Sequence, residues 1–179
     1  MTGATPRAPV LGFVGWSGTG KTTLLARVLP LLCADGLTVG LIKHAHHQFD
    51  IDHPGKDSHT LREAGAQQVL VTAAHRSALI TERPASREPR LEEELERLDH
   101  GALDGILVEG FRHERFPRVE LIRGPGREDE AFLHTVDPSV IAVITERHRQ
   151  LDAPLPKLDI DDPDEVAAFV GSYFRRNRA

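Results

Sequence analysis

Cysteine occurs once in this chain of 179 residues, at Cys33. That excludes an internal disulfide framework and any multi-cysteine zinc site, and it fits a reducing compartment. No apolar run approaches the ~20 residues needed to span a bilayer, and Met1 to Pro9 lacks the long apolar stretch of a secretory signal. No membrane association is expected, and a cytoplasmic location is. Positive charge is not in excess either: 22 Lys and Arg stand against 27 Asp and Glu, for a net charge of −5. General attraction to a nucleic-acid backbone is therefore a poor default, and any anion must be bound locally. Repeats and linkers are also lacking. What remains, 40% hydrophobic and 27% charged residues, is the composition of one folded domain with a sizeable core.

Hydrophobic patterning sets out the elements. Met1 to Pro9 reads as a loose leader, and residues 10–176 read as a single domain. Val10 to Val14 is a continuously apolar run followed by glycine, the pattern of a buried strand. Thr22 to Leu32 then spaces Leu24, Leu25, Val28, Leu29 and Leu32 for one helix face, and Leu37 to Ile42 reads as a second strand. Lys43 to Asp57 is polar, rich in His and Asp, and reads as an active-site loop. Asp57-Ser58 can cap a short helix through Ala64, with strands at Gln68 to Thr72 and Ser77 to Thr81 after it. Leu91 to Leu98 has the pattern of an amphipathic surface helix. Strands are expected at Asp104 to Glu109, Arg118 to Arg123 and Val140 to Ile144, with a closing helix over Asp162 to Arg176. Strands alternating with helices at this length imply an α/β fold with a mostly parallel central sheet covered on both faces.

Gly15-Trp-Ser-Gly-Thr-Gly20-Lys21-Thr22 fits G-x-x-x-x-G-K-[ST] and lies between an expected strand and an expected helix, as that phosphate-binding motif requires. Backbone N–H groups must wrap a phosphate closely, so Gly15, Gly18 and Gly20 keep side chains away while the helix N-terminus adds favourable partial charge. Lys21 would reach the β and γ phosphates, and the Thr22 hydroxyl would be offered to Mg²⁺. Glu109, at the carboxyl end of a buried strand, takes the place of the acid that holds the metal or orients water, because ligands of open parallel sheets bind outside the carboxyl ends of the strands. Asp50, Asp52 and Asp57 could bring a further carboxylate to the metal, and Asp52 is the candidate among them. His44, His46, His47, His53 and His59, half of the ten histidines, together with Lys43 suggest a polar wall for an anionic second ligand. They lack the i, i+4 spacing of common zinc pairs. Trp16 is expected to pack over the loop rather than to stack on a base. Pro156-Lys157-Leu158-Asp159 is the nearest match to a guanine-reading Asn/Thr-Lys-x-Asp segment, and Ile144 to Arg147 is the other candidate.

Trp16-Ser-Gly-Thr-Gly-Lys-Thr-Thr-Leu-Leu25, Gly40-Leu-Ile-Lys-His-Ala-His-His47, Asp52-His-Pro-Gly-Lys-Asp-Ser58, Leu61-Arg-Glu-Ala-Gly-Ala66 and Ile106-Leu-Val-Glu-Gly-Phe-Arg-His113 together resemble the MobB family of molybdopterin-guanine dinucleotide biosynthesis adaptors. The resemblance runs from about Val10 to Phe174. The phosphate loop is common to many NTPases; the Lys-His-x-His-His segment followed by Asp-x-Pro-Gly-Lys-Asp-Ser is much more specific. The resemblance implies a three-layer P-loop NTPase fold, a homodimer, GTP as the nucleotide with weak GTPase activity, and action beside the nucleotidyltransferase MobA on molybdopterin or its guanine dinucleotide. By the family pattern Gly15, Trp16, Ser17, Gly18, Thr19, Gly20, Lys21, Thr22 and Thr23 bind the phosphates and Glu109 occupies the acidic position. Gln48 departs from relatives that carry an acid there, and no trans-acting lysine of the kind found in dimerising ATPases stands at Trp16. A P-loop kinase acting on a small acceptor is the alternative reading; it requires fast acceptor-dependent turnover, of about 1–100 s⁻¹.

Overall fold

A computed structural model describes residues 7–45, 49–83, 87–124, 131–151 and 154–178, and among these described residues are eight strands and five α-helices. Contacts divide the chain into two compact units where the sequence reads as one domain: residues up to His44 with Arg90 onward, and Ala45–Pro89.

The larger unit is built on a sheet ordered β2-β5-β1-β6-β7-β8, from β1 (Val10–Val14), β2 (Val39–Lys43), β5 (Gly105–Glu109), β6 (Arg118–Leu121), β7 (Val140–Thr145) and β8 (Lys157–Asp159). Every neighbouring pair is parallel. Because side chains alternate across a strand, β1 sends Leu11 and Phe13 to one face, where they meet Leu24, Leu25, Val28 and Leu32 of α1 (Lys21–Ala34) and Val166, Val170 and Phe174 of α5 (Pro163–Asn177). Burying each such side chain stabilises the fold by about 1.5–3 kcal/mol. Ile106 and Val108 of β5 point to the opposite face and join Ala8, Leu91 and Phe111. This is the three-layer arrangement the sequence implies.

Several boundaries differ. Ala8 and Pro9 are already buried, and the Ile106 amide donates to the Pro9 carbonyl, so these two residues belong to the fold; residues 1–6 of the expected leader lie outside the described residues. The expected helix over Leu91 to Leu98 is the shorter α3 (Leu91–Leu95), because Arg97 and Leu98 turn back to Glu94 and Leu95 in tighter i to i−3 bonds. Its first amide donates to Glu114 at 2.8 Å, which satisfies an end group that the helix cannot satisfy itself. A short helix, α4 (Leu133–Val136), and the strand β8 were not expected.

The smaller unit holds α2 (Asp57–Glu63) and an antiparallel pair, β3 (Gln68–Ala73) with β4 (Arg76–Thr81). The Asp57-Ser58 cap is not formed: Lys56 is the N-cap and Asp57 the first helical residue, where its charge still favours the helix dipole.

Candidate functional site

The loop between β1 and α1 is shaped by what cannot fit in it. At Gly15 φ is +153°, and a Cβ would lie 2.5 Å from the Leu121 carbonyl oxygen of β6, so only glycine lets the chain leave β1 here. The Lys21 ammonium donates to the carbonyls of Gly15 and Trp16 at 2.9 and 2.8 Å. Thr19 is buried, and its hydroxyl also donates to the Trp16 carbonyl, at 2.9 Å. The loop thus closes around its own lysine, and α1 begins at that residue. Burial holds the Lys21 pKa below the usual lysine value; Glu109 opposes the shift, and Lys43 and Arg112 add to it. A half-buried cation among cations, at a helix N-terminus, is a site arranged to receive an anion.

Glu109, buried at the carboxyl end of β5, comes to the same place from 87 residues away. The Thr22 hydroxyl donates to its Oε1 at 2.7 Å. The Lys43 ammonium donates to that hydroxyl at 3.0 Å and lies 3.3 Å from Glu109 Oε2. Parallel pairing sets this geometry, with Phe13 and Lys43 both in register with Glu109. Beyond Glu109 the chain turns through two residues of positive φ, Gly110 at +101° and Phe111 at +53°. A Cβ on Gly110 would lie 2.8 Å from the His44 Cβ. Phe111 meets the cost of its left-handed backbone, about 1–3 kcal/mol, by burying its ring in the core and stacking it on His44 at 4.7 Å.

The remaining expected residues are placed as follows. Ser17 and Gly18 are exposed at the tip of the loop, and Thr23 is exposed on α1. Trp16 is half-buried and packs against neighbours outside the loop, with its ring 5.2 Å from that of Phe132 and the Arg112 guanidinium 5.5 Å over it. The two candidate base-reading segments are brought together, since Arg147 Nε donates to Asp159 Oδ2 at 2.7 Å and Lys157 Nζ to the Arg149 carbonyl at 2.9 Å. That bond to Arg147 and a second from the Asp161 amide hold the Asp159 carboxyl below the usual range. Sequence reasoning missed the neighbouring pocket of about 100 Å³, lined by Gly20, Thr23, Leu24, Arg123, Ile160 and Asp161 beside Arg27. It also missed the approach of Lys43 to Thr22, for which a charged residue at the end of the strand beside β5 is the available signal.

Asp52, the third residue expected at the metal, belongs to the smaller unit. Arg62 holds its Oδ1 at 3.1 Å and also binds Asp50 at 3.2 Å and Glu82 at 3.0 Å. Burial pushes the Asp52 carboxyl up, but the bond and charge of Arg62, with His59, bring it below the ordinary carboxylate value. A depressed carboxylate pKa contributes stability that is present above the unfolded-state pKa and is lost as pH falls through the folded one. Arg62→Met should therefore expose the smaller unit to faster limited proteolysis at neutral pH. The difference from the unaltered chain should shrink below the ordinary carboxylate range; equal cleavage rates at pH 7 would contradict this. Of the five histidines, His46 and His47 lie outside the described residues, as does Gln48. Among the described residues no group of three His, Cys, Asp or Glu has metal-holding geometry, and no helix is long and apolar enough to cross a membrane.

A glycine loop leading from a buried strand into a helix, a lysine turned into that loop, and an acid from the adjacent parallel strand meeting the threonine after the lysine together make this a P-loop NTPase fold. Comparison with known proteins agrees and is narrower. The family described as "Molybdopterin guanine dinucleotide synthesis protein B", MobB, matches residues 10–146. The molybdopterin-guanine dinucleotide biosynthesis adapter protein of Escherichia coli is 47% identical, over 94% of both chains. The protein of the same name from Haemophilus influenzae is 38% identical, over 92% of this chain and 89% of its own. A crystal structure of Bacillus subtilis MobB superposes with a TM-score of 0.69 at 31% identity, covering 92% of this chain and 97% of that one. The chain belongs to the MobB family.

Proposed function

We propose that the protein binds GTP with Mg²⁺ at the β1–α1 loop, hydrolyses it slowly, and serves in the cytoplasm as a homodimeric adaptor beside a MobA-type nucleotidyltransferase that makes molybdopterin guanine dinucleotide. The observation that carries the nucleotide reading is the meeting of Thr22 and Glu109 beside Lys21, because a hydroxyl and a carboxylate next to a phosphate cradle are the hard oxygen donors Mg²⁺ takes in such sites. The adaptor part rests on the family and on the names its relatives carry.

Thr22 and Glu109 would hold the ion, which when bound would supply positive charge to offset that of the phosphates. Lys21 would leave the Gly15 and Trp16 carbonyls for phosphate oxygens, exchanging two neutral acceptors for a charged one. Glu109 also orients the attacking water, so hydrolysis is a matter of position and electrostatics, without a covalent intermediate. Asp52 is kept in place by Arg62 in this reading and is not needed to complete the donor pair.

The base is assigned to the pocket beside Thr23. Asp159 is committed to Arg147, whereas the Asp161 side chain is 71% exposed, lines that pocket and lies 3.9 Å from the Arg123 guanidinium. A carboxylate accepts from both N1 and N2 of guanine and repels the ring acceptor of adenine. Calorimetric titration with GTP and then ATP, each with Mg²⁺, should show preference for GTP. Asp161→Asn should weaken GTP binding about tenfold, a typical result of losing one charged acceptor, and leave ATP binding no weaker. Equal binding of the two nucleotides by the unaltered protein would count against the GTP reading. A preference that survives Asp161→Asn would place the base reader elsewhere.

A further inference from the structure

Lys43 stands where the phosphate site needs a cation. Its ammonium is shared between the Thr22 hydroxyl, at 3.0 Å, and Glu109 Oε2, at 3.3 Å. That hydroxyl already spends its hydrogen on Glu109 Oε1, at 2.7 Å, so it meets Lys43 with a lone pair. The lone pair of Thr22 and the outer oxygen of Glu109 are also what a divalent ion would use. A second cation on the same two oxygens would lie at contact distance from the ammonium and be repelled by it.

The two side chains differ in how readily they can give up this pairing. Glu109 is 10% exposed and Lys43 is 51% exposed. A buried carboxylate is costly without a positive partner, whichever partner that is. A lysine on a flexible stem at the end of an edge strand can return its ammonium to water at little cost. β2 lies at the edge of its sheet, and its pairing with β5 sets Lys43 against Glu109.

We propose that Lys43 is a tethered cation that neutralises the Thr22–Glu109 pair in the nucleotide-free protein and is exchanged for Mg²⁺ when Mg²⁺ and nucleotide load. The inference rests on the nucleotide reading above. It assigns Lys43 a positioning role: it holds the Glu109 carboxylate and the Thr22 hydroxyl aligned and offsets the carboxylate's charge toward an approaching phosphate before the metal arrives. Nucleotide binding then depends only modestly on Mg²⁺, because a cation already stands at the Thr22–Glu109 pair before the ion arrives.

The test is GTP affinity measured by calorimetry in Mg²⁺ and in EDTA, for the unaltered protein, Lys43→Met and Lys43→Arg. Lys43→Met should lose about tenfold in EDTA, where Glu109 faces the phosphates uncompensated, and much less in Mg²⁺. Titrating Mg²⁺ into the GTP-loaded protein should show tighter metal binding in Lys43→Met, since the competing cation is gone and linkage is reciprocal. Lys43→Arg, which keeps the charge, should lie closer to the unaltered protein in EDTA and guards against a misfolded methionine variant. An equal loss in both buffers would make Lys43 an ordinary phosphate ligand and overturn the exchange. No loss in either buffer would reduce the contact to a surface ion pair and overturn it too. If the unaltered protein binds no GTP in either buffer, the nucleotide reading itself fails, and that is seen before any variant is made.

Discussion

Lys21→Ala is expected to lower GTP affinity by about 30-fold or more while the protein stays folded. Removing one partner of a buried, hydrogen-bonded charge pair typically costs about 2–5 kcal/mol, and 1.4 kcal/mol corresponds to a factor of ten. The folded state should tolerate the change. Among the described residues the ammonium bonds to the carbonyls of Gly15 and Trp16, which are half-buried and near exposed Ser17 and Gly18. Its pKa is held down by burial and by Lys43 and Arg112, so the positive charge is itself under strain without a ligand. Deleting it removes that strain, and alanine is the best helix former at the start of α1. Calorimetry with GTP and Mg²⁺, paired with thermal melting, checks both halves. A folded variant with unchanged affinity would dismiss the phosphate role of Lys21.

Glu109→Gln should separate binding from hydrolysis. Glutamine keeps the shape and one acceptor for the Thr22 hydroxyl, so the loop geometry survives, but it removes the charge that would hold Mg²⁺ and orient water. Positioned acid–base groups contribute typically 10²–10⁴-fold to rate, and the loss of hydrolysis should fall in that range. Nucleotide binding should persist, because a negative charge 3.3 Å from the Lys43 ammonium and close to the incoming phosphates has been neutralised. Single-turnover GTP hydrolysis at saturating nucleotide is the measurement. Equal turnover in the two proteins would remove Glu109 from the reaction and leave it as a structural partner of Thr22.

How much of this could be read without a fold varies residue by residue. The phosphate loop was legible because its whole requirement is local: glycines where the backbone must come close, a lysine and a threonine opening a helix, and an apolar strand before them. Glu109 was legible through a topological rule, since the carboxyl ends of parallel strands gather at one edge of the sheet. Trp16 as a packing residue followed from the general fate of aromatic rings. Asp52 was expected at the metal from its residue type and place in the loop, and nothing local announces that Arg62 will hold its Oδ1. Asp159 matched a recognition pattern and yet its carboxylate is bound to Arg147, 12 residues away in sequence and brought near by the pairing of β7 with β8.

The amino-acid order alone therefore determined the α/β alternation, the place of the glycine loop between its strand and its helix, and the family to which its motifs belong. These depend on periodicity and on contiguous residues, which propensity and sterics act on directly. The division into two units, the contact of Lys43 with Thr22 and Glu109, and the placing of Asp161 rather than Asp159 in the lining of the pocket were decided by tertiary structure. Each depends on which parallel strands become neighbours and in what register, and that is settled by burial of both sheet faces together rather than by any segment on its own.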